Sequence, residues 1–425
     1  MTDPNILTEL DADGVLVATL DMPGRAMNVF SRSLMDSLTQ LVKRAEEDTA
    51  VRAVVLTSGK ATFLAGADLE MIQMFTQRAR TGSTAELHEL FGYLGRLFRR
   101  LELSPKPFVA AINGLALGGG LEVCLSCHAR VVADDPAIQL GLPEIKLGLL
   151  PGAGGTQRLP RLVGTSKGMQ MLLTGEPVAP AEALSLGLVH EMVPREQLIE
   201  TAKRRARAMV QPRAPWDQPG AKFDSRPFDF SDKAAAANEV AQAVGISDYQ
   251  RRHYPAYQAI LDCVIGGWSL PMTEGGEHEM RVFVELMRDA VAGNMVRTLF
   301  LNRQKAAKLG LLAPTSVLAT GDDALLPRVK QAREQAKAAG LNEDDTLLAI
   351  AFAALRAWDA GKVEEPELAD VAVVTGGLYP SYTGGPFTWL QQRGAQDLRR
   401  RAQGRDPALF AVPEGLDRFL GTAAA

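Results

Sequence analysis

The sequence predicts an α/β protein, with a layered strand-and-helix portion followed by an all-helical one. Three observations carry this. Apolar, strand-like runs alternate with amphipathic helical stretches through the first third of the chain. From about Pro180 onward the periodicity is helical. Between these regions a glycine run joins a buried-type strand directly to an apolar helix.

The elements follow in order. Gly14 to Leu20 reads as a strand. Ser31 to Glu46 reads as an amphipathic helix, with Leu34, Leu38, Leu41, Val42 and Ala45 on one face. Arg52 to Thr57 is a second strand of the buried kind, and a helix is expected from about Thr84 to Leu103. Pro107 to Asn113 is a third strand. Gln211 to Asp232 is rich in Pro, Asp and Gly and reads as a surface connection. Met280, Phe283, Met287, Val291, Met295 and Leu299 then recur at helical spacing and predict one long helix. Gly310 to Asp323 is a second break, and helices are expected near Leu325–Ala339 and Asp344–Ala360.

At 425 residues the chain has room for about two or three domains. Its hydrophobic content of 46% and charged content of 23% are those of a folded chain that buries its own core. Lys plus Arg is 46 and Asp plus Glu is 50, a net charge of −4. That balance gives no whole-protein attraction to nucleic acid or to an anionic membrane, so an anionic ligand would need a local basic site. The cysteines are Cys124, Cys127 and Cys263, a sparse and odd set that suits a reducing compartment. The opening Met1 to Asn5 has neither the basic nor the apolar region of a signal peptide, and the longest apolar run, Leu347 to Leu355, is too short for a membrane span. The expected location is the cytoplasm.

The chemistry gathers at Asn113 to Glu122, where a strand runs through Gly114, Gly118, Gly119 and Gly120 into an apolar helix. A helix beginning here aims free N–H groups and its positive dipole end at a ligand, which is the equipment for stabilising an oxyanion. Glycines let that ligand come close to the backbone. A second glycine loop, Phe63 to Asp68, follows the second strand and offers another N–H. Glu122 sits one turn into the helix, and Glu144 follows in Gly141-Leu142-Pro143-Glu144. Two glutamates flanking an oxyanion site are suited to hold a water and move its protons.

At these residues the chain resembles the crotonase (enoyl-CoA hydratase/isomerase) superfamily, and within it the hydratase part of the multifunctional fatty-acid oxidation enzymes. The resembling segments are Phe63–Asp68, Ala111–Cys127 and Gln139–Gly164 (QLGLPEIKLGLLPGAGGTQRLPRLVG), continued by Thr174–Pro177 and Ala181–Val189. The resemblance implies a spiral of ββα units. It assigns the Ala67 and Gly119 N–H groups to an oxyanion hole and Glu122 and Glu144 to the acid/base pair. It sets Ala65 beside the adenine of coenzyme A, with Lys60, Arg25 and Asp68 completing the coenzyme A-binding set. The implied reaction is hydration of trans-2-enoyl-CoA to 3-hydroxyacyl-CoA, with no metal and no cofactor beyond the coenzyme A of the substrate. Family members that only move a double bond commonly keep one carboxylate, so the pair favours a hydratase over an isomerase.

The resemblance extends to the tail. Asn294–Leu301 looks like the linker helix of the multifunctional enzymes, and Gly376–Pro380 with Tyr382–Phe387 looks like the helical C-terminal domain of 3-hydroxyacyl-CoA dehydrogenases. No strand leads into a Gly-x-Gly-x-x-Gly, and the roughly 25 residues between linker helix and tail are too few for a nucleotide-binding domain. Dehydrogenase activity is therefore not expected, and the tail reads as a structural or docking element. The expected domains are 1–200, a crotonase domain; 201–310, a helical extension; and 311–425, an all-helical domain. The expected partner is an acyl-CoA thioester. A homo-oligomer, or association with a thiolase or dehydrogenase subunit, fits the same resemblance, and an acyl-CoA-binding scaffold is the non-catalytic alternative. Cys124-Leu125-Ser126-Cys127-His128 imitates a haem-attachment motif, but it falls in the helix after Glu122, where packing is expected.

Overall fold

The computed structural model describes residues 4–321 and 323–422. Residues 1–3, part of the stretch read as lacking a signal peptide, and Asp322, within the expected break over 310–323, lie outside the described residues. The chain divides into two compact units, Met1–Asp289 and Ala290–Ala425. The boundary falls at neither 200 nor 310. The helices that follow residue 200 pack back onto the strand-and-helix portion, so the expected extension is for the most part not separate.

Among the described residues, the first unit is built on eight strands: β1 (Ile6–Leu10), β2 (Val15–Leu20), β3 (Ala53–Ser58), β4 (Phe108–Ile112), β5 (Ala116–Leu117), β6 (Ala129–Ala133), β7 (Leu140–Gly141) and β8 (Glu191–Val193). A six-stranded sheet runs β1-β2-β3-β4-β6-β8, and β5 and β7 form a two-stranded one. Among the described strands, β1 and β2 pair antiparallel and the other pairs are parallel. β3 and β4 are buried along their whole length, the pattern of a parallel sheet covered on both faces.

The helices of this unit are α1 (Arg32–Glu47), α2 (Leu69–Ala79), α3 (Thr84–Glu102), α4 (Gly119–Ser126), α5 (Gly155–Val163), α6 (Thr165–Thr174), α7 (Pro180–Ser185), α8 (Leu198–Ala208), α9 (Lys233–Val244), α10 (Asp248–His253), α11 (Pro255–Gly267) and α12 (Met272–Arg288). Ser31 caps α1 by accepting the Leu34 N–H, and the buried face of α1 is the expected stripe. The spiral of ββα units is present. β3 leads through Leu64, which bridges to Ala116, into α2; β4 and β5 lead into α4; β6 and β7 lead, through a 3-10 turn, into α5. Each unit thus gives a first strand to the large sheet and a second to the layer that carries the glycine loops. α12 packs on α11, α3, α2 and α5, and α8 lies against β3, β4 and β6.

The second unit opens with α13 (Ala290–Met295), a π-turn over Val296–Leu301 and α14 (Asn302–Lys308). The single long helix expected across Met280 to Leu299 is therefore not formed, since α12 stops at Arg288 and Asp289 is extended. The core of this unit lies between α15 (Leu325–Ala338), α16 (Glu343–Asp359), α17 (Pro366–Thr375) and α18 (Pro386–Ala402), around Val329, Phe352, Leu355, Phe387 and Leu390. Buried Asp370 of α17 accepts the Phe387 and Thr388 N–H groups, both at 2.9 Å, and so caps α18. A Cβ on Gly385 would collide with that carboxyl, which gives the Gly384-Gly385-Pro386 turn a packing role.

Candidate active site

Backbone hydrogen bonds fix the loop Phe63–Asp68 almost completely. The Phe63 and Leu64 N–H groups donate to Leu115 O at 3.0 and 3.1 Å, and Ala65 N–H donates to Asn28 O at 3.0 Å. Phe30 N–H donates to Gly66 O at 2.7 Å, and Asp68 N–H to Phe30 O at 2.9 Å. Asn28, fully buried, braces the same loop. Its side chain accepts the Met22 N–H at 3.0 Å and donates to Leu20 O, Ser58 Oγ and Phe63 O. Ala67 N–H is passed over by all of these bonds.

The second glycine loop meets the first. Gly118 N–H donates to Gly141 O at 2.9 Å, and Gly118 O receives the Leu121 and Glu122 N–H groups that start α4. Gly118 has φ +57°, a conformation that favours glycine, and a Cβ there would lie 2.8 Å from Glu144 Oε1. Gly119 N–H is the first amide of α4 and, like Ala67 N–H, has no protein acceptor among the described residues. The remaining glycines serve a different purpose from the one their motif suggests. A Cβ on Gly120 would run into Leu64 O, and one on Gly114 into Ala61 O, so these two let backbone approach backbone rather than ligand.

Three carboxyl groups nearby lie close enough to feel one another's charge. Glu122 is 3% exposed, and its Oε1 accepts the Ala153 and Gly155 N–H groups, both at 2.8 Å. Burial raises its proton affinity above the ordinary carboxylate value, against the pull of those two amides and of the Arg158 charge. Glu144 opens the 3-10 turn Glu144–Leu147 after β7. The residue as a whole is partly exposed, but its Oε2 is shielded and has no hydrogen-bond partner. Burial, and then the charge of Glu122, push it well above the ordinary value, and the charge of Glu279 adds to this.

Glu279 is a residue that sequence reasoning misses. It stands on α12 and is 1% exposed. Its Oε1 accepts the Gly154 N–H at 2.7 Å, and its Oε2 accepts the Thr156 N–H at 3.1 Å and the Thr156 hydroxyl. Burial and the charge of Glu122 push it up to about 8, while Thr156, Gly154 and Arg158 pull the other way. Its sequence signal is a glutamate on the apolar face of a helix, four residues after Gly275 and four before Phe283, both of which face the interior or its edge.

The expected coenzyme A-binding residues are placed as follows. Ala65 lies in the braced loop with its N–H occupied. Lys60 Nζ pairs with Asp21 Oδ1 at 2.9 Å, and Arg25 pairs with Asp68. Asp68 also caps α2 through the Glu70 N–H at 2.9 Å. The CxxCH segment lies in and just beyond α4. The Cys124 and Cys127 thiols donate to Gly120 O and Val123 O, and burial pushes both thiols up, Cys127 to about 12. His128 Nδ1 accepts the Phe108 N–H, so Nε2 carries the proton donated to Glu102 O at 3.1 Å. No described helix is long and apolar enough to cross a membrane.

Comparison with known proteins gives the family. Residues 11–236, more than half of the chain, match the family described as enoyl-CoA hydratase/isomerase. The chain is similar to the fatty acid oxidation complex subunit alpha of Shewanella halifaxensis, 36% identical over 72% of this chain and 42% of that one. It is likewise similar to the subunit of the same name from Shewanella frigidimarina, 34% identical over 74% of this chain and 42% of that one. The chain thus spans about two fifths of the length of these curated relatives. Among solved structures, an enoyl-CoA hydratase from Bacillus halodurans is 24% identical with a TM-score of 0.48, covering 69% of this chain and 98% of that one. A monofunctional enoyl CoA isomerase from M. smegmatis is 29% identical with a TM-score of 0.39, covering 49% and 88%.

Proposed function

We propose, on the premise that the chain belongs to the enoyl-CoA hydratase/isomerase family, that it adds water to a trans-2-enoyl-CoA to give a 3-hydroxyacyl-CoA. One observation supports the reading above the others. Two carboxyl groups, the buried Glu122 and Glu144 with its one shielded oxygen, flank Gly118, near two backbone N–H groups, of Ala67 and Gly119, that have no acceptor among the described residues.

In this reading the thioester oxygen accepts those two N–H groups. The oxygen of a water bonds to C3 while Glu122 takes one of its protons. The electron pair of the C2–C3 double bond moves toward the thioester oxygen, where the two amides stabilise it; each such donor is worth about 3 kcal/mol at the transition state. The pair returns as Glu144 gives its proton to C2. Passage of a proton from Glu122 back to Glu144 restores the starting state, and the sum is one water added. Glu122, held by two amides and facing the Arg158 charge, suits the base. Glu144, with a shielded and unpartnered oxygen, suits the acid.

The retention of both carboxyl groups favours hydration over movement of the double bond. Coenzyme A enters as part of the substrate, and the proposed reaction uses no further cofactor. By extension from the curated relatives, we place the activity in fatty-acid oxidation, with the helical second unit as a docking element for a partner subunit.

The test is loss of the conjugated enoyl-thioester absorbance with a short and a long trans-2-enoyl-CoA, run beside Glu144→Gln, with the product identified. Loss that yields a 3-hydroxyacyl-CoA and collapses in the variant is the expected result. A product with a shifted double bond would replace this reading with an isomerase. Binding of acyl-CoA without turnover would replace it with a scaffold.

A further inference from the structure

The turn that precedes α5 is shared between two carboxylates. Its amides alternate: Ala153 and Gly155 donate to Glu122, Gly154 and Thr156 to Glu279. Four successive N–H groups thus point alternately to the reaction side and to the α12 side. Both Glu279 oxygens are occupied, whereas Glu122 uses Oε1 for both of its amides. Gln157 Nε2 donates to Thr156 Oγ1 at 3.0 Å, which orients the Thr156 hydroxyl as a donor toward Glu279. A donor on each oxygen, with a hydroxyl turned toward one of them, favours the charged form of Glu279 against the burial that opposes it.

We propose that Glu279 is a positioning residue for Glu122, holding the 153–156 turn from the far side and setting a negative charge behind the two reacting carboxyl groups. The inference rests on the hydration reading above. It goes beyond that reading by giving the reaction a third carboxylate that touches neither substrate nor water.

The charged and titratable neighbours of Glu279 come from every element around it. Glu122 lies on α4, Glu144 on the 3-10 turn and Arg158 on α5. The buried Cys263 thiol comes from α11, and its proton affinity is raised partly by the Glu279 charge. From α3, Arg99 lines a cavity of about 410 Å³ together with Gly154, Arg158 and Glu279, while Glu102 pairs with Arg99 and Arg158.

The sign of the effect follows. A negative Glu279 makes loss of the Glu144 proton harder. Removing that charge moves the loss of the Glu144 proton to lower pH, and with it the alkaline limb of the rate profile.

The experiment compares the wild-type chain with Glu279→Gln and Thr156→Val in crotonyl-CoA hydration across pH. The infrared band of a buried, protonated carboxyl is followed in the same samples without substrate. Glu144→Gln assigns that band. In Glu279→Gln we expect the alkaline limb and the titration of the Glu144 band to shift about one unit to lower pH, with KM within about twofold. Thr156→Val keeps the shape of the core but removes a donor that stabilises the Glu279 charge, so it shifts both readouts the same way by less. It stands in for Glu279→Gln if the latter fails to fold. A uniform fall in kcat with both limbs and the band unmoved would overturn the proposal and leave Glu279 a structural bracket. A wild-type chain that does not hydrate crotonyl-CoA while its Glu144 band still responds to Glu279→Gln would instead sink the hydration reading alone.

Discussion

Glu102 and Arg158 face each other as a two-pronged ion pair in the interior of the first unit, Nε to Oε1 at 2.8 Å and Nη2 to Oε2 at 3.1 Å. Both residues are 2% exposed. Arg158 Nη1 also donates to Ala153 O at 3.1 Å, so the pair holds the residue whose N–H orients Glu122. Removing one partner strands the other charge away from water. Glu102→Ala is expected to cost about 3–5 kcal/mol, read as a lowered midpoint of urea unfolding. An unchanged midpoint would mean that Arg158 is satisfied by another counter-charge, for which Glu122 and Glu279 already lie within reach of its field.

In the proposed reaction, Glu122 and Glu144 make the rate depend on pH in a definite sense. Glu122 must be ionised and Glu144 protonated, and burial raises both above the ordinary carboxylate range, Glu144 further. Activity should fall at low pH as Glu122 gains a proton and at high pH as Glu144 loses one. A profile of kcat/KM that is flat between about pH 5 and 9 would contradict this assignment.

Asn28 links β2, the end of β3 and the loop that offers Ala67 N–H. Asn28→Ala leaves buried partners unsatisfied and should cost about 1–3 kcal/mol. Because the loop itself loosens, kcat should fall at saturating substrate. A variant that is destabilised yet turns over at the wild-type rate would show that the backbone bonds alone hold Ala67 in place.

Two neighbouring glycines should respond differently to a methyl group. On Gly120 it meets the Leu64 carbonyl, which cannot move without shifting the loop that offers Ala67 N–H, and on Gly119 it meets the Phe30 ring at 2.9 Å. Gly120→Ala should therefore destabilise by about 1–3 kcal/mol and abolish turnover. Gly119→Ala should melt closer to the wild type. The reverse order in a thermal melt would refute the packing role given to Gly120.

In the second unit, burial pushes Asp370 up to about 7 despite the Phe387 and Thr388 amides. The folded chain then binds this proton more tightly than the unfolded one. The stabilisation is full below about pH 4 and is lost as pH rises toward 7. Protection of the Phe387 and Thr388 amides from hydrogen exchange, corrected for intrinsic rate, should decline across that window in the full chain. Asp370→Asn should flatten the decline.

What the sequence shows of this fold depends on apolar contrast. α1 is legible to the residue because its five buried side chains repeat at helical spacing, and β3 and β4 because both are uninterrupted buried runs. β1 is hidden because only Ile6 is buried, and β6 because Arg130 interrupts its apolar run. Arg130 is accommodated there by the carbonyls of Leu188, Cys124 and Cys127, which lie far apart or across a turn in sequence. β5 and β7 have two residues each, too few for any period to show. At the site, the glycine loops mark Glu122 and Glu144. Glu279 has no such marker, since the turn that gives it meaning lies on the other side of the helical extension.

The alternation along 153–156 makes the site sensitive to parity. Odd-numbered amides serve one carboxylate and even-numbered amides the other. The donors are backbone atoms, yet Gly154, at φ +95° with the Arg158 guanidinium where a Cβ would sit, and Gly155, where a Cβ would meet Pro151 and Glu122 Oε1, leave no room for a side chain. Insertion or deletion of a single residue would exchange the two sets and turn toward Glu279 the amides that now hold Glu122. Length is constrained in this segment as tightly as the absence of side chains at Gly154 and Gly155.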